Sequence, residues 1–282
     1  MIRIDEMTKG RFGNKILHYN NLVQLAKNLN TESSCVPWEG NECFSDLSTH
    51  INSSNLETTL KWDEVLDMDY STTPIHVNDY LVGSYCLHNV FWKVTQTDPR
   101  EFFKINEKYK RNIPENETSV GIHLRGTDIL GADGNQGREI HEFEYYKNSI
   151  DLVESKFKNT KYYVCTDDYS FDSFIKTVQY LESLKLSYEV GSPNQFVDFS
   201  TLTECDIIIA SSSTFVVAAG FVGKKDKKII HSMKWIQKNL DHTPWHPYED
   251  PEDTRKWQLS FDNFWVDLYN GGNEFYKAWK FI

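Results

Sequence analysis

The sequence predicts an α/β protein built around a parallel sheet. Three observations carry that reading. Between residues 118 and 232, short apolar runs alternate with amphipathic stretches of roughly 10–15 residues, the pattern of βαβ units. At 282 residues the chain suits one large or two ordinary domains, and it can bury a core without a disulfide or metal staple. Its 39% hydrophobic and 14% aromatic content is richer in core-forming side chains than a disordered chain.

The elements follow in chain order. Residues 1–4 read as a short strand and Gly10-Arg11-Phe12-Gly13 as a glycine-bearing turn. A helix is predicted over about 14–28, where Ile16, Leu22, Val23, Leu25, Ala26 and Leu29 recur mostly three and four apart. Residues 31–73 are rich in Ser, Asn, Thr and Asp and carry little periodic signal; a helix pair is expected around 80–95 and 98–109. The alternation then becomes regular. Strands are predicted at 119–123, 161–165, 188–190, 206–210 and 228–231, and helices at 143–157, 171–184, 196–204 and 213–222. Residues 241–251 are Pro-rich and irregular, and a last helical stretch is expected over 261–280.

Charge and cysteine usage narrow the function classes. With 41 acidic and 30 basic side chains the net charge is −11, which argues against a nucleic-acid binder. An acidic ligand must therefore be held by a local cluster of donors. No basic segment followed by an apolar stretch opens the chain, and no run of about 18 apolar residues occurs, so neither a secretory signal nor a membrane span is expected. Cys35, Cys43, Cys86, Cys165 and Cys205 form no CxxC pair and read as reduced thiols in a cytoplasmic setting. No metal is expected. Asn52-Ser53-Ser54 and Asn116-Glu117-Thr118 match the glycosylation pattern and are read as chance.

Ligands of parallel sheets bind beyond the carboxyl ends of the strands, which singles out residues 124–128, 166–169, 211–214 and 232–235. The first candidate is Gly121-Ile122-His123-Leu124-Arg125-Gly126-Thr127-Asp128. Arg125 has the planar, permanently charged fork that suits a diphosphate, or else it pairs with Asp128 to close a loop. The second is Ser211-Ser212-Ser213-Thr214-Phe215, opening a helix. Hydroxyls and N–H groups there make an anion site or an ordinary N-cap. The third is Thr166-Asp167-Asp168, either an acceptor for a base or ribose or another cap. The fourth is Gly10-Arg11-Phe12-Gly13-Asn14, where backbone can approach a ligand closely. Other patterns are discounted. Asp67-Met68-Asp69 lacks an apolar strand before it, Gly131, Gly134 and Gly137 read as a flexible loop, and residues 224–228 as a solvated turn. No GxSxG elbow is present.

Together the four loops resemble fucosyltransferases. Gly10-Arg11-Phe12-Gly13-Asn14, followed by a helix, Ala26-Lys27-Asn28-Leu29-Asn30 and Pro37-Trp38, resembles the N-terminal motif of protein O-fucosyltransferases. Val120-Gly121-Ile122-His123-Leu124-Arg125 is similar to their strand and phosphate-binding arginine. With Gly126-Thr127-Asp128 it also resembles the HxRRxD motif of α-1,2- and α-1,6-fucosyltransferases, Gly126 standing where the second arginine would be. Val164-Cys165-Thr166-Asp167-Asp168 resembles the ATDD segment of the α-1,6 group. The stretch from Asp198 through Cys205 to Phe215 resembles the last shared motif, and residues 228–235 are similar to the strand after it.

The resemblance implies a GT-B fold: two Rossmann-like domains with parallel sheets facing a cleft. Residues 1–115 would form the acceptor-side domain and 116–240 the nucleotide-sugar domain, with a helix in 241–282 returning to the first. It implies an inverting, metal-independent glycosyltransferase taking a nucleotide-diphosphate sugar, GDP-fucose in those families, and a glycan or oligosaccharide acceptor. No cofactor is implied. Arg125 would bind the β-phosphate, and His123 with Asp167 or Asp168 the base or ribose. Ser211, Ser212, Ser213, Thr214 and Phe215 would complete the pocket. Asn14, with Gly10, Arg11, Phe12 and Gly13, would sit near the sugar. Asp128, Glu139 and Glu142 are the nearby carboxylates for a base, Asp128 foremost. The same fold could instead take UDP-xylose, or survive as a non-catalytic glycan-binding module.

Overall fold

A computed structural model describes residues 2–4, 7, 10–28, 30, 32–48, 98–127, 142–224, 227–231 and 265–267. The chain forms two compact units: Met1–Lys108 with Thr243–Glu249, and Tyr109–His242 with Asp250–Ile282.

In the first unit, β1 (Ile2–Ile4) and β2 (Ser33–Cys35) pair in parallel around α1 (Phe12–Asn28), a minimal βαβ unit. The helix starts two residues before the apolar period does, so Phe12 and Gly13 belong to it. The turn is left to Gly10, at φ 81°, where a Cβ would also lie 2.5 Å from Asn14 Nδ2. Phe12, Ile16, Leu17, Tyr19, Leu22 and Ala26 of α1 are buried. Their aromatic members meet Trp38, Phe44 and Phe103, with ring centroids 5.7–6.1 Å apart, a spacing typical of favourable aromatic pairs. A short helix α2 (Gly40–Cys43) leads into β3 (Phe44–Ser45), which pairs antiparallel with β4 (Lys104–Ile105).

The helix expected at 98–109 is absent. Asp98 caps a single 3-10 turn, Pro99–Glu101, by accepting from the Arg100 amide, and the chain then extends into β4. Tertiary packing overrides the local pattern: extension carries Phe103 into the aromatic cluster and lets β4 pair with β3. The helix expected at 80–95 and the Asp67–Asp69 pattern lie outside the described residues.

Among the described residues the second unit has six parallel strands: β5 (Thr118–Leu124), β6 (Thr160–Thr166), β7 (Ser187–Val190), β8 (Ile207–Ile209), β9 (Lys228–His231) and β10 (Trp265–Asp267). They lie in the order β10-β9-β8-β5-β6-β7. Counted within the sheet and read from β7, this is 3-2-1-4-5-6, the doubly wound order that reverses between its first and fourth strands. Here that point lies between β5 and β8, paired Val120 to Ile207 and Ile122 to Ile209.

The connecting helices are α3 (Phe143–Lys156), α4 (Asp172–Ser183), α5 (Gln195–Glu204) and α6 (Thr214–Val222). Val120, Ile122, Leu124, Tyr162, Val164, Ile207 and Ile209 form the core with Ile150, Phe174 and Leu181 from the helices. Near-continuous apolar strands of this kind are what a sheet covered on both faces requires. Tyr145 of α3 docks by donating its hydroxyl to the Ala210 and Ile230 carbonyls, at 2.8 and 3.0 Å.

Two local expectations are corrected. Residues 265–267 form a strand beside β9 where a helix was expected, because a short apolar run does not distinguish the two by period. The rest of 261–280 lies outside the described residues. Lys227 is no solvated turn residue: it is 2% exposed and donates to the carbonyls of Leu202, Thr203 and Cys205. Its neighbour Lys224 pairs with Asp206 at 2.9 Å. Cys35, Cys43, Cys165 and Cys205 are free and buried. Among the described residues no helix is long and apolar enough to cross a membrane.

Candidate active site

The reversal of strand order brings the first two candidate loops together. β5 ends at Leu124, so His123 and Arg125 emerge at its carboxyl end; β8 ends beside it and releases Ser211, Ser212 and Ser213. His123 Nδ1 and Ser211 Oγ share a 2.6 Å hydrogen bond. The His123 ring stacks on Phe215, centroids 5.2 Å apart, and Phe215 stands edge-on to Phe199 at 5.3 Å. Arg125 Nη1 donates to Ser213 Oγ across 3.4 Å. The same oxygen accepts from the Phe215 amide at 3.2 Å, so Ser213 is the N-cap of α6 and also faces the guanidinium. His123, Arg125, Ser211, Ser212 and Ser213 are buried, while Thr214 and Phe215 are half-buried.

This is the chemistry of an anion site. Helix N-termini present unsatisfied N–H groups and a partial positive charge, and Arg125 adds a full one. Arg keeps that charge on burial and can grip two oxygens at once. Between them the parts can hold a phosphate group and stabilise negative charge developing on it.

The β6 loop is held by local hydrogen bonds. Asp167 Oδ1 accepts from the amides of Gly126 and Thr127 at 2.7 and 3.4 Å, and Oδ2 accepts from the Thr127 hydroxyl at 2.7 Å. Asp168 Oδ1 accepts from the Ser170 amide and hydroxyl at 2.8 and 2.6 Å, closing the turn ahead of α4. Tyr169 follows, 43% exposed, its hydroxyl donating to the Gly191 carbonyl and its ring edge-on to Phe174.

Asp198 completes this edge, and the sequence reading gave it no individual role. It lies in the first turn of α5, is 5% exposed and accepts from the Ser192 amide at 2.6 Å. Burial pushes its carboxyl up to about 7 against the opposing pull of that amide and of the Arg111 charge. A carboxylate among Phe196, Phe199 and Leu202 on one short helix was the available signal.

The remaining candidates belong to the first unit, lie outside the described residues or, in the case of Glu142, stand at the start of α3. Gly10 and Arg11 are exposed and Asn14 is half-buried. Phe12 and Gly13 are buried, Phe12 against Trp38 and Phe44. Asp128 and Glu139 are outside the described residues; Glu142 is exposed and stands at the N-cap of α3.

No curated protein sequence matches this chain. Among solved structures, POFUT1 in complex with GDP-fucose is 10% identical, with a TM-score of 0.51 over 80% of this chain and 94% of that one. POFUT1 in its apo form gives 10% identity and 0.50 over 86% and 95%. The fucosyltransferase NodZ from Bradyrhizobium gives 10% and 0.48 over 79% and 92%. The likeness to POFUT1 establishes the shared GT-B-type fold. The profile of glycosyl transferase family 11 matches residues 3–246, spanning both candidate loops at the reversal point, and the chain belongs to that family of glycosyltransferases.

Proposed function

We propose that this glycosyltransferase moves L-fucose from GDP-fucose to a glycan or oligosaccharide acceptor, with inversion at the anomeric carbon and without a metal. The observation that carries the reading is buried Arg125 facing Ser213, the N-cap of α6, at the reversal point of the sheet. The fold shared with POFUT1, a protein crystallised with GDP-fucose, supports the choice of donor.

In this reading the donor diphosphate lies against Arg125 and the amides opening α6. Breaking the sugar–phosphate bond leaves negative charge on the departing GDP, and these donors are already aimed at it. The acceptor hydroxyl attacks from the opposite face of the sugar and gives its proton to a base, for which Asp128, Glu139 and Glu142 are the candidates. His123, held by Ser211 and stacked on Phe215, lines the nucleoside side, and the second oxygen of Asp168 accepts from a ribose hydroxyl. In the same reading Asn14, with residues 10–13, acts near the sugar. The buried free thiols suit a reducing, cytoplasmic setting.

The test is thermal stability with saturating GDP, UDP and CDP, each with magnesium or with EDTA, followed by transfer from GDP-fucose to an oligosaccharide panel. A ligand bound only by the folded state at about 100 times its dissociation constant adds roughly 2.7 kcal/mol. A GDP shift that survives EDTA, with fucosyl transfer, is the expected result. Stabilisation by UDP instead replaces the donor, and sugar binding without any nucleotide effect leaves a binding module.

A further inference from the structure

We propose that Asp167 is a positioning residue rather than a ligand of the nucleoside: it clamps the backbone that follows Arg125 and thereby aims the guanidinium at the N-terminus of α6. The proposal rests on Arg125 meeting the donor diphosphate.

The geometry is specific. Asp167 sits just after β6, the neighbour of β5, and both its oxygens reach across to residues 126 and 127. The segment it grips also packs closely on the turn before α4. A Cβ at Gly126 would lie 2.9 Å from the Asp168 Cβ and 3.0 Å from the Phe171 Cβ. The loop leaving β5 is therefore fixed from two sides, by hydrogen bonds to Asp167 and by contact at Gly126. Arg125 is the residue immediately before these anchors, and its side chain runs the other way, to Ser213.

Gly126 also removes the second cation that the HxRRxD pattern would provide at this edge. With Arg125 alone presented by the motif, the direction of that side chain governs how well a diphosphate is gripped. A carboxylate that accepts amide hydrogens holds a turn more firmly than a neutral acceptor, because charge-assisted bonds are shorter and roughly twice as strong.

The experiment measures affinities for GDP and for guanosine in the wild type, Asp167→Ala, Asp167→Asn, Arg125→Ala and the Asp167→Ala/Arg125→Ala pair. Amide hydrogen exchange at Gly126 and Thr127 is followed in the same proteins. Asp167→Ala is expected to weaken GDP about tenfold, within the range of coupling between contacting residues, and to leave guanosine unchanged. Asp167→Asn keeps an oxygen for the Gly126 amide, through a weaker neutral bond, and should recover part of the GDP affinity. In the Arg125→Ala background the alanine at 167 should cost nothing further. Should Asp167→Ala not fold, Thr127→Val removes one of the three bonds and should weaken GDP about threefold, guanosine again unchanged.

Equal loss of GDP and guanosine means that Asp167 touches the nucleoside, and the proposal falls. Additive losses in the double variant, or no rescue by asparagine, overturn it as well. If the wild type binds no GDP, the donor reading fails instead, and the clamp is judged by exchange alone: unchanged protection of Gly126 and Thr127 in Asp167→Ala refutes it.

Discussion

Two buried cations of the second unit sit at opposite ends of helices. Lys227 lies at the C-terminus of α5, where it donates to the carbonyls of Leu202, Thr203 and Cys205. Arg125 lies at the N-terminus of α6, beside its cap Ser213. A cation completes a helix C-terminus, whose carbonyls lack partners and carry partial negative charge. At an N-terminus the same charge opposes the dipole. Lys227 is therefore placed where the helix end itself favours a cation, and Arg125 beside a helix end that favours an anion. One cation reads as architecture and the other as function, and the two should respond in opposite ways to removal.

The largest expected effect is on Arg125. Arg125→Ala should lower transfer by about 10²–10³, the cost of one preorganised donor, roughly 2.7–4 kcal/mol in the barrier. The melting temperature should stay within a degree or two of the wild type, or rise, since a charge that opposes the dipole is gone. Steady-state kinetics and a thermal melt of one preparation check both halves. Retained turnover would remove Arg125 from the functional side of the comparison.

Asp198 tests whether every buried ion at the carboxyl edge is functional in this sense. Its carboxyl is raised to about 7 by burial, above the value of about 3.9 for the unfolded chain. The folded state therefore binds more protons between those values, and stability falls as pH rises from about 4 to about 7, by at most about 4 kcal/mol. Asp198→Asn keeps an acceptor for the Ser192 amide and abolishes the titration. The variant should be more stable than the wild type at pH 8 and no more stable at pH 4.5, as read by urea melts at the two values. Parallel stability curves would mean that the acid is not held protonated by its surroundings.

Lys227→Met is the counterpart of Arg125→Ala and should be smaller in energy but opposite in kind. Burial pulls the ammonium down to about 8, which leaves it charged at neutral pH. Methionine fills the same space but leaves three buried carbonyls without this donor, at about 2–3 kcal/mol. Activity per folded molecule should be unchanged at low temperature. A fall in kcat without a fall in melting temperature would reverse the assignment of the two cations.

How much of this was legible in the sequence differs along the chain. From 118 to 231 the predicted strands and helices fall within a residue or two of the observed ones, because short strand-like runs, most of them apolar, alternate with helical stretches and polar turns separate them. The loops carrying Arg125 and Ser211–Ser213 were visible as strand ends. Their meeting required the crossover that places β8 beside β5, which no local pattern contains. Residues 98–109 misled because Phe102, Ile105 and Tyr109 recur at helical spacing, whereas Phe103 is spent on the cluster with Tyr19 and Phe44. Lys227 was hidden among the four lysines of residues 224–228, where composition says solvent and only the end of α5 says otherwise. Asp167 was recognised as polar and well placed, but its partners, 40 and 41 residues earlier, depend on strand register.

The smallest effect belongs to the amino edge, where Ser119 and Asp206 close on each other at the starts of β5 and β8. The Ser119 hydroxyl donates to Asp206 Oδ2 at 2.6 Å and accepts from the Asp206 amide at 2.9 Å, and the Ser119 amide donates to Oδ2 at 3.0 Å. Burial raises the Asp206 carboxyl, but these bonds and Lys224 outweigh it and hold the carboxyl below its usual value. Its stabilisation is accordingly present near neutral pH and is lost as pH falls through that lowered value. Ser119→Ala removes the hydroxyl from both bonds and keeps the amide one, so it should cost about 1 kcal/mol at pH 7 and less below pH 3. Kinetic constants should not move. A change in GDP affinity would show that the amino edge transmits to the site through β5 and β8, and the separation drawn between Lys227 and Arg125 would then hold for those two residues but not for the edges they occupy.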